Sequence, residues 1–247
     1  MSSEMLPALR RQGWRERLTP GALLRTFLAQ RGSIQSPLGA QWRPDLRLIR
    51  QTRRAVPILM SDAAALQIIL CARAASRLEG AMAEAGVFRG GSARLICAAK
   101  GSAPLHLFDI FDTLQRPTER ADAPAVSEAR AHFGPIHSRR SEVEALLHPY
   151  PEVQIHEGFF PETAKGLEHE EFSFVHLDLD LEASTVAALE FFHAQMVPGA
   201  ILIGDDYDLP AIRQSFVRFF RGRPDTMVEL PWGQVMIIKQ GMHHAPV

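Results

Sequence analysis

From residue 80 onward the chain alternates short apolar runs with amphipathic stretches, and no other feature constrains its fold as much. The runs are Gly80–Gly86, Pro104–Asp109, Val153–Glu157, Phe172–Asp178 and Ala200–Gly204. Helical stretches fall between or after them: Ser92–Ala99, Val126–Phe133 with Ser141–His148, Ser184–Met196 and Ala211–Arg221. Two further β-rich runs, Met227–Leu230 and Val235–Lys239, flank the hairpin-like turn Pro231-Trp232-Gly233-Gln234. Strand–helix units in series, closed by a hairpin, predict an α/β fold with a doubly wound, mostly parallel seven-stranded sheet and an antiparallel edge hairpin. Right-handed crossovers then put helices on both faces.

In such sheets ligands lie beyond the carboxyl ends of the strands, where the strand order reverses. The candidate site residues fall at those ends. Glu84-Ala-Gly86-Val-Phe-Arg-Gly90-Gly91-Ser92 joins the first run to a helix. Glycines there allow close backbone approach, and the helix start offers free N–H groups to an anion. The same small residues serve equally to pack helix on strand. Asp109 ends the second run, where an acid accepts hydrogen bonds from ribose hydroxyls; a loop carboxylate is the plainer reading. Ser92 is either an anion ligand or an N-cap. Glu84, inside a buried run, needs a partner. Gly158 and Phe159 follow the third run and suit an adenine ring, although Phe159 reads equally as core.

Asp178 ends the fourth run, and Asp205 and Asp206 end the fifth. Adjacent parallel strands lie roughly 5 Å apart. Two carboxylates about 4 Å apart repel by roughly 4 kcal/mol at an effective dielectric of 20, so converging acids call for a cation or a proton. Oxygen ligands alone suit Mg²⁺ or Ca²⁺ over Zn²⁺. Asp180 shares the face of Asp178 if the strand runs that far; otherwise it caps the next helix.

Composition bounds the rest. The formal net charge is −1, but residues 1–54 carry eleven arginines against three acids. This basic arm has few aromatics for base stacking, so it reads as a segment folding over its own acidic body or a second subunit, not a nucleic-acid arm. It is expected to hold short helices, Gly21–Ala29 foremost, broken at Pro37, Gly39 and Pro44. Ser61 reads as the N-cap of a helix through about Arg77. Cys71 and Cys97 read as buried free thiols in a reducing compartment. No run is long enough for a membrane span and the N-terminus lacks an apolar signal centre, so the expected location is the cytoplasm.

The Glu84-x-Gly86-x-x-x-Gly90-x-Ser92 turn resembles that of class I S-adenosylmethionine-dependent methyltransferases, especially metal-dependent small-molecule O-methyltransferases such as the catechol type. Taken with Phe108-Asp109-Ile-Phe111, Gly158-Phe-Phe-Pro-Glu-Thr163, Leu177-Asp-Leu-Asp-Leu-Glu-Ala-Ser-Thr185 and Asp205-Asp-Tyr207, the chain is more similar to the macrocin O-methyltransferase family, over roughly residues 60–240. The resemblance implies a Rossmann-like sheet in a methyltransferase domain over 56–240; residues 1–55 read as a helical, basic N-terminal extension, 112–150, long for a crossover and carrying Pro117, Pro124, Pro135 and many charges, as a lid insertion over the acceptor, and 241–247 as a tail. By it, Glu84, Gly86, Gly90, Gly91 and Ser92 line the methionine end of S-adenosylmethionine, Asp109 holds the ribose, and Gly158 with Phe159 borders adenine. Asp178, Asp205 and Asp206 bind Mg²⁺, which activates a hydroxyl of a small-molecule acceptor, a sugar or phenolic group of a natural product. A homo-oligomer is expected.

Two departures stand out. Glu182 occupies a position that is commonly tyrosine in the family, and Leu181 stands where catechol-type enzymes place a lysine base. His132, His137 and Glu182 are the candidate bases. Three other functions compete. A nucleotide-sugar glycosyltransferase would use Asp178-x-Asp180. An NAD-dependent oxidoreductase would need a glycine where Glu84 stands. The third is a non-catalytic cofactor-binding partner protein.

Overall fold

A computed structural model describes residues 40–111 and 138–241. The expected helices Gly21–Ala29 and Val126–Phe133, residues 112–137 of the expected lid, and the tail beyond residue 241 lie outside the described residues.

Seven strands form one sheet: β1 (Ala81–Ala85), β2 (Leu105–Asp109), β3 (Val153–Glu157), β4 (Phe172–Leu177), β5 (Met196–Gly204), β6 (Thr226–Leu230) and β7 (Gln234–Ile238). Their order is β3-β2-β1-β4-β5-β7-β6. Strands β1 to β5 are parallel, and β7 runs antiparallel between β5 and β6. This is the expected doubly wound sheet with its edge hairpin. The order reverses between β1 and β4, which places the switch point at their carboxyl ends.

Both faces are covered, as near-continuous apolar strands require. Helices α1 (Arg43–Ala55), α2 (Asp62–Ala75), α3 (Gly91–Ala99) and α4 (Arg140–Leu147) bury one face. Helices α5 (Glu182–Gln195) and α6 (Pro210–Phe220) bury the other. Ser61 caps α2 as expected, its hydroxyl accepting from the Ala64 N–H at 3.1 Å. Cys71 and Cys97 are both buried and free.

Two segments differ from the sequence reading. Pro44 does not break the arm; it sits in the first turn of α1, where a missing N–H costs nothing. Leu46 and Ile49 of that helix are buried in the core, so residues 43–55 belong to the body of the fold and not to an extension. Its charges face partners in the same body: Asp45 takes a bidentate bridge from Arg73 at 2.6 and 3.1 Å, and Arg53 donates to Asp62, the Ile58 carbonyl and the Met60 carbonyl. Likewise residues 140–147 of the expected lid form α4, with Val143 and Leu147 buried. That part packs against α3 and β3, with Val143 and Leu146 beside Gly90.

Candidate active site

The turn after β1 is shaped by its glycines. Gly86 has φ +90°, and a Cβ there would lie 1.6 Å from the Asp178 carbonyl oxygen. Only glycine lets the ends of β1 and β4 approach so closely. Gly90 is the left-handed N-cap of α3, with φ +79°. A Cβ on Gly91 would meet the Pro57 carbonyl at 2.7 Å, so that glycine is demanded by packing. Ser92 lies nearly buried in the first turn of α3, behind the Gly90 cap. The first N–H groups of that helix have no intrahelical acceptor.

Asp109 organises this turn. Its Oδ2 accepts from the backbone N–H groups of Val87 and Phe88, and its Oδ1 from that of Phe111, all at 2.7 Å. Burial pushes its carboxyl above the ordinary value, against the pull of these three bonds. Among the described residues Oδ1 accepts this one bond, and a carboxylate oxygen has room for a second. Beside it, the Gly158 N–H donates to the Asp109 carbonyl at 2.9 Å, and Gly158 has φ +140°. Phe159 is half-buried at this edge, while the next residue, Phe160, stacks in the core with Phe192 and meets Phe108 edge-on.

The acids of β4 and β5 converge as expected. Asp178 and Asp205, together with His176, each offer a ligand atom within 4.8 Å of the others. Asp206, held at φ +56°, sits against Asp178 and Asp180, and its Oδ2 is buried without a hydrogen-bond partner. Burial raises the Asp178 carboxyl well above its ordinary value, and the charges of Asp205, Asp206 and Asp180 add to this. Asp206 is pushed up to about 7, by burial first and then by Asp180. A cluster that cannot ionise fully alone, with an orphaned buried oxygen, fits a hard divalent cation. β4 ends at Leu177, so Asp180 lies in the loop; Leu181, not Asp180, is the N-cap of α5.

His176 is the residue of the candidate site that sequence reasoning missed. It stands directly opposite Glu84 in the β1–β4 register, and both are fully buried. Its Nδ1 is 2.8 Å from Glu84 Oε1 and its Nε2 is 3.4 Å from Asp205 Oδ2. Burial alone would lower its pKa; hydrogen bonds to Asp205 and Glu84 outweigh burial and push it up to about 10. With both nitrogens engaged, His176 braces the carboxylates and the cation ligands remain oxygens. The available signal was a pair of polar residues, Glu84 and His176, in otherwise apolar strands.

Among the candidate bases, Glu182 is tied to Arg218 in an exposed ion pair, and His132 and His137 lie outside the described residues. The loop between β6 and β7 borders the acids: the Tyr207 N–H donates to the Gly233 carbonyl at 2.7 Å, and Gln234 Nε2 lies 3.2 Å from Asp205 Oδ2. Trp232 on that loop is half exposed. Among the described residues, no helix is long and apolar enough to cross a membrane.

With this geometry in view, three comparisons with known proteins bear on the site. The family described as macrocin O-methyltransferase (TylF) matches residues 63–235. An 8-demethyl-8-(2,3-dimethoxy-alpha-L-rhamnosyl)-tetracenomycin-C 4'-O-methyltransferase of Streptomyces olivaceus is 31% identical over 161 residues, 60% of this chain and 60% of that protein. The chain thus spans about three fifths of the length of this curated relative. Among solved structures, the O-methyltransferase NovP superposes with a TM-score of 0.59 at 18% identity, covering 72% of this chain and 80% of NovP. The Podospora anserina methyltransferase PaMTH1, bound to S-adenosylhomocysteine, gives 0.55 at 16% identity, over 90% and 95%. TomG of Streptomyces achromogenes, in complex with S-adenosylmethionine, gives 0.52 at 17%, over 93% and 100%. These likenesses to solved structures establish the fold.

Proposed function

The chain belongs to the macrocin O-methyltransferase family, and on that premise we propose that it transfers a methyl group from S-adenosylmethionine to a hydroxyl of a small molecule. The observation that carries this reading is the meeting, at the switch point, of the glycine turn with the carboxylates of Asp178, Asp205 and Asp206. An NAD fingerprint is absent where Glu84 stands, and a glycosyltransferase would leave the turn and the Asp205-Asp206 pair without a role. The rhamnosyl group in the name of the Streptomyces olivaceus relative favours a sugar hydroxyl, with a phenol next.

The roles of the chain's own groups follow from their positions. The free N–H groups of the first turn of α3 receive the methionine carboxylate, as helix N-termini receive anions. Glu84 Oε2, buried and without a partner, accepts from the methionine ammonium. The second acceptor position of Asp109 Oδ1 takes a ribose hydroxyl, and Gly158 and Phe159 border the adenine. Asp178, Asp205 and Asp206 hold Mg²⁺. When bound, Mg²⁺ supplies Lewis acidity that lowers the pKa of the acceptor hydroxyl. Holding acceptor and methyl donor in near-attack geometry contributes up to roughly 7–11 kcal/mol to lowering the barrier.

The test is incubation with methyl-labelled S-adenosylmethionine and a panel of glycosylated and phenolic metabolites, with Mg²⁺ or with EDTA. Label is expected in a sugar or phenol ether, only with Mg²⁺. Transfer that proceeds undiminished in EDTA would refute the metal role; failure to bind the methyl donor would refute the whole reading.

A further inference from the structure

His176 touches two sites at once. Through Nδ1 it holds Oε1 of Glu84, the acid that opens the glycine turn, at 2.8 Å. Through Nε2 it reaches Oδ2 of Asp205, in the carboxylate cluster, at 3.4 Å. What each carboxylate keeps free is informative. Glu84 Oε2 is buried and unpartnered. On Asp205, His176 and Gln234 both approach Oδ2, which leaves Oδ1 for another ligand. The imidazole therefore grips the inner oxygen of each acid and leaves the other oxygen for a ligand.

We propose that His176 is a positioning residue that couples the two pockets, so that a methyl-donor-site ligand and a divalent cation bind this chain with positive cooperativity. The coupling rests on the site assignments proposed above. A ligand that fixes Glu84 fixes the imidazole, and the imidazole then holds Asp205 in the rotamer the cation needs. The same chain of contacts works in reverse, because coupling between two binding sites is reciprocal. β1 and β4 are central, fully buried strands, so the imidazole has no room to turn away and both contacts must move together.

The test is calorimetry on the full chain with S-adenosylhomocysteine and Mg²⁺, each titrated with and without the other. In the unsubstituted chain, saturating Mg²⁺ tightens S-adenosylhomocysteine binding by about fivefold or more, and the cofactor product tightens Mg²⁺ by the same factor, at the low end of typical couplings. His176→Gln, whose single amide cannot span both acids, brings the ratio within about twofold while each ligand still binds. A residue that is merely structural would weaken both affinities and leave their ratio unchanged. Should His176→Gln fail to fold, Glu84→Gln removes the anionic anchor and is expected to reduce the ratio in the same way. Two ligands that bind the unsubstituted chain independently, or a ratio that survives in either variant, would overturn the coupling while leaving the methyltransferase reading intact. A chain that binds neither ligand would overturn both.

Discussion

Substituting alanine for Gly86 probes the tightest site for an added Cβ among the described glycines. A Cβ at this position would lie 1.6 Å from the Asp178 oxygen and 2.6 Å from its carbonyl carbon, whereas ordinary contact begins at 3.4 Å. The ends of β1 and β4 would have to part by about 1.8 Å. A displacement of that size at the end of β1 breaks the backbone bonds of 2.9 Å to both neighbouring strands, from the Asp178 N–H to the Ala85 carbonyl and from the Gly86 N–H to the Phe108 carbonyl of β2. Each is worth about 1 kcal/mol net. Positive φ adds about 1–2 kcal/mol for a residue with a side chain. The expected loss is therefore about 3–4 kcal/mol, a large share of the 5–15 kcal/mol typical of a domain. Gly101→Ala is the control: Gly101 has φ +63° and nothing within 4 Å, so only the backbone strain of about 1–2 kcal/mol applies. Urea unfolding separates the two, and calorimetry with S-adenosylhomocysteine reads the site. Gly86→Ala is expected to lose cofactor binding by more than about tenfold, 1.4 kcal/mol, because Asp178 and the turn move apart. Stability within about 1 kcal/mol of Gly101→Ala, with normal binding, would refute the claim that close approach at the switch point builds the pocket.

Other outcomes follow from the same structure. Asp206 is raised from 3.8 to about 7, so the folded chain holds a proton that the unfolded chain has lost between those values. Without metal, this group's contribution to stability falls as pH rises from about 4 to about 7. Mg²⁺ displaces that proton, so its apparent affinity rises with pH by up to about tenfold per unit below pH 7; a flat profile from pH 5 to 8 in calorimetry would contradict this. A chain beginning at residue 56 loses Leu46 and Ile49 from the core, about 3–6 kcal/mol of burial, and the Asp45 bridge to Arg73. It is expected to show no cooperative thermal transition; a sharp one near that of the full chain would place α1 outside the fold.

The sheet was legible because parallel strands buried on both faces leave uninterrupted apolar runs, and because Gly, Asp and Pro-Trp-Gly mark their ends. The acids of the candidate site were legible for the same reason: Asp109, Asp178 and Asp205 each terminate such a run. What could not be read depended on register or on tertiary burial. His176 looks like an ordinary core histidine until β1 and β4 are aligned and Glu84 is found opposite it. Helix α1 was obscured by Pro44 and by five arginines around only three large apolar residues, Leu46, Leu48 and Ile49, two of which the core buries. The glycines carried a double message: an added Cβ on Gly86 would meet the Asp178 carbonyl, and one on Gly91 the Pro57 carbonyl and Ile58, so both are also demanded by packing.

Cation binding beside the methyl donor is the most direct test of the account. Mn²⁺ titrated into the chain with S-adenosylhomocysteine present, and followed by electron paramagnetic resonance, is expected to show about one tightly bound ion, as hard oxygen sites take Mn²⁺ in place of Mg²⁺. Asp178→Asn or Asp205→Asn should release that ion while S-adenosylhomocysteine affinity in the absence of metal stays within about threefold, under 1 kcal/mol. An ion retained at the same affinity in both variants would show that the carboxylates of β4 and β5 are not its ligands.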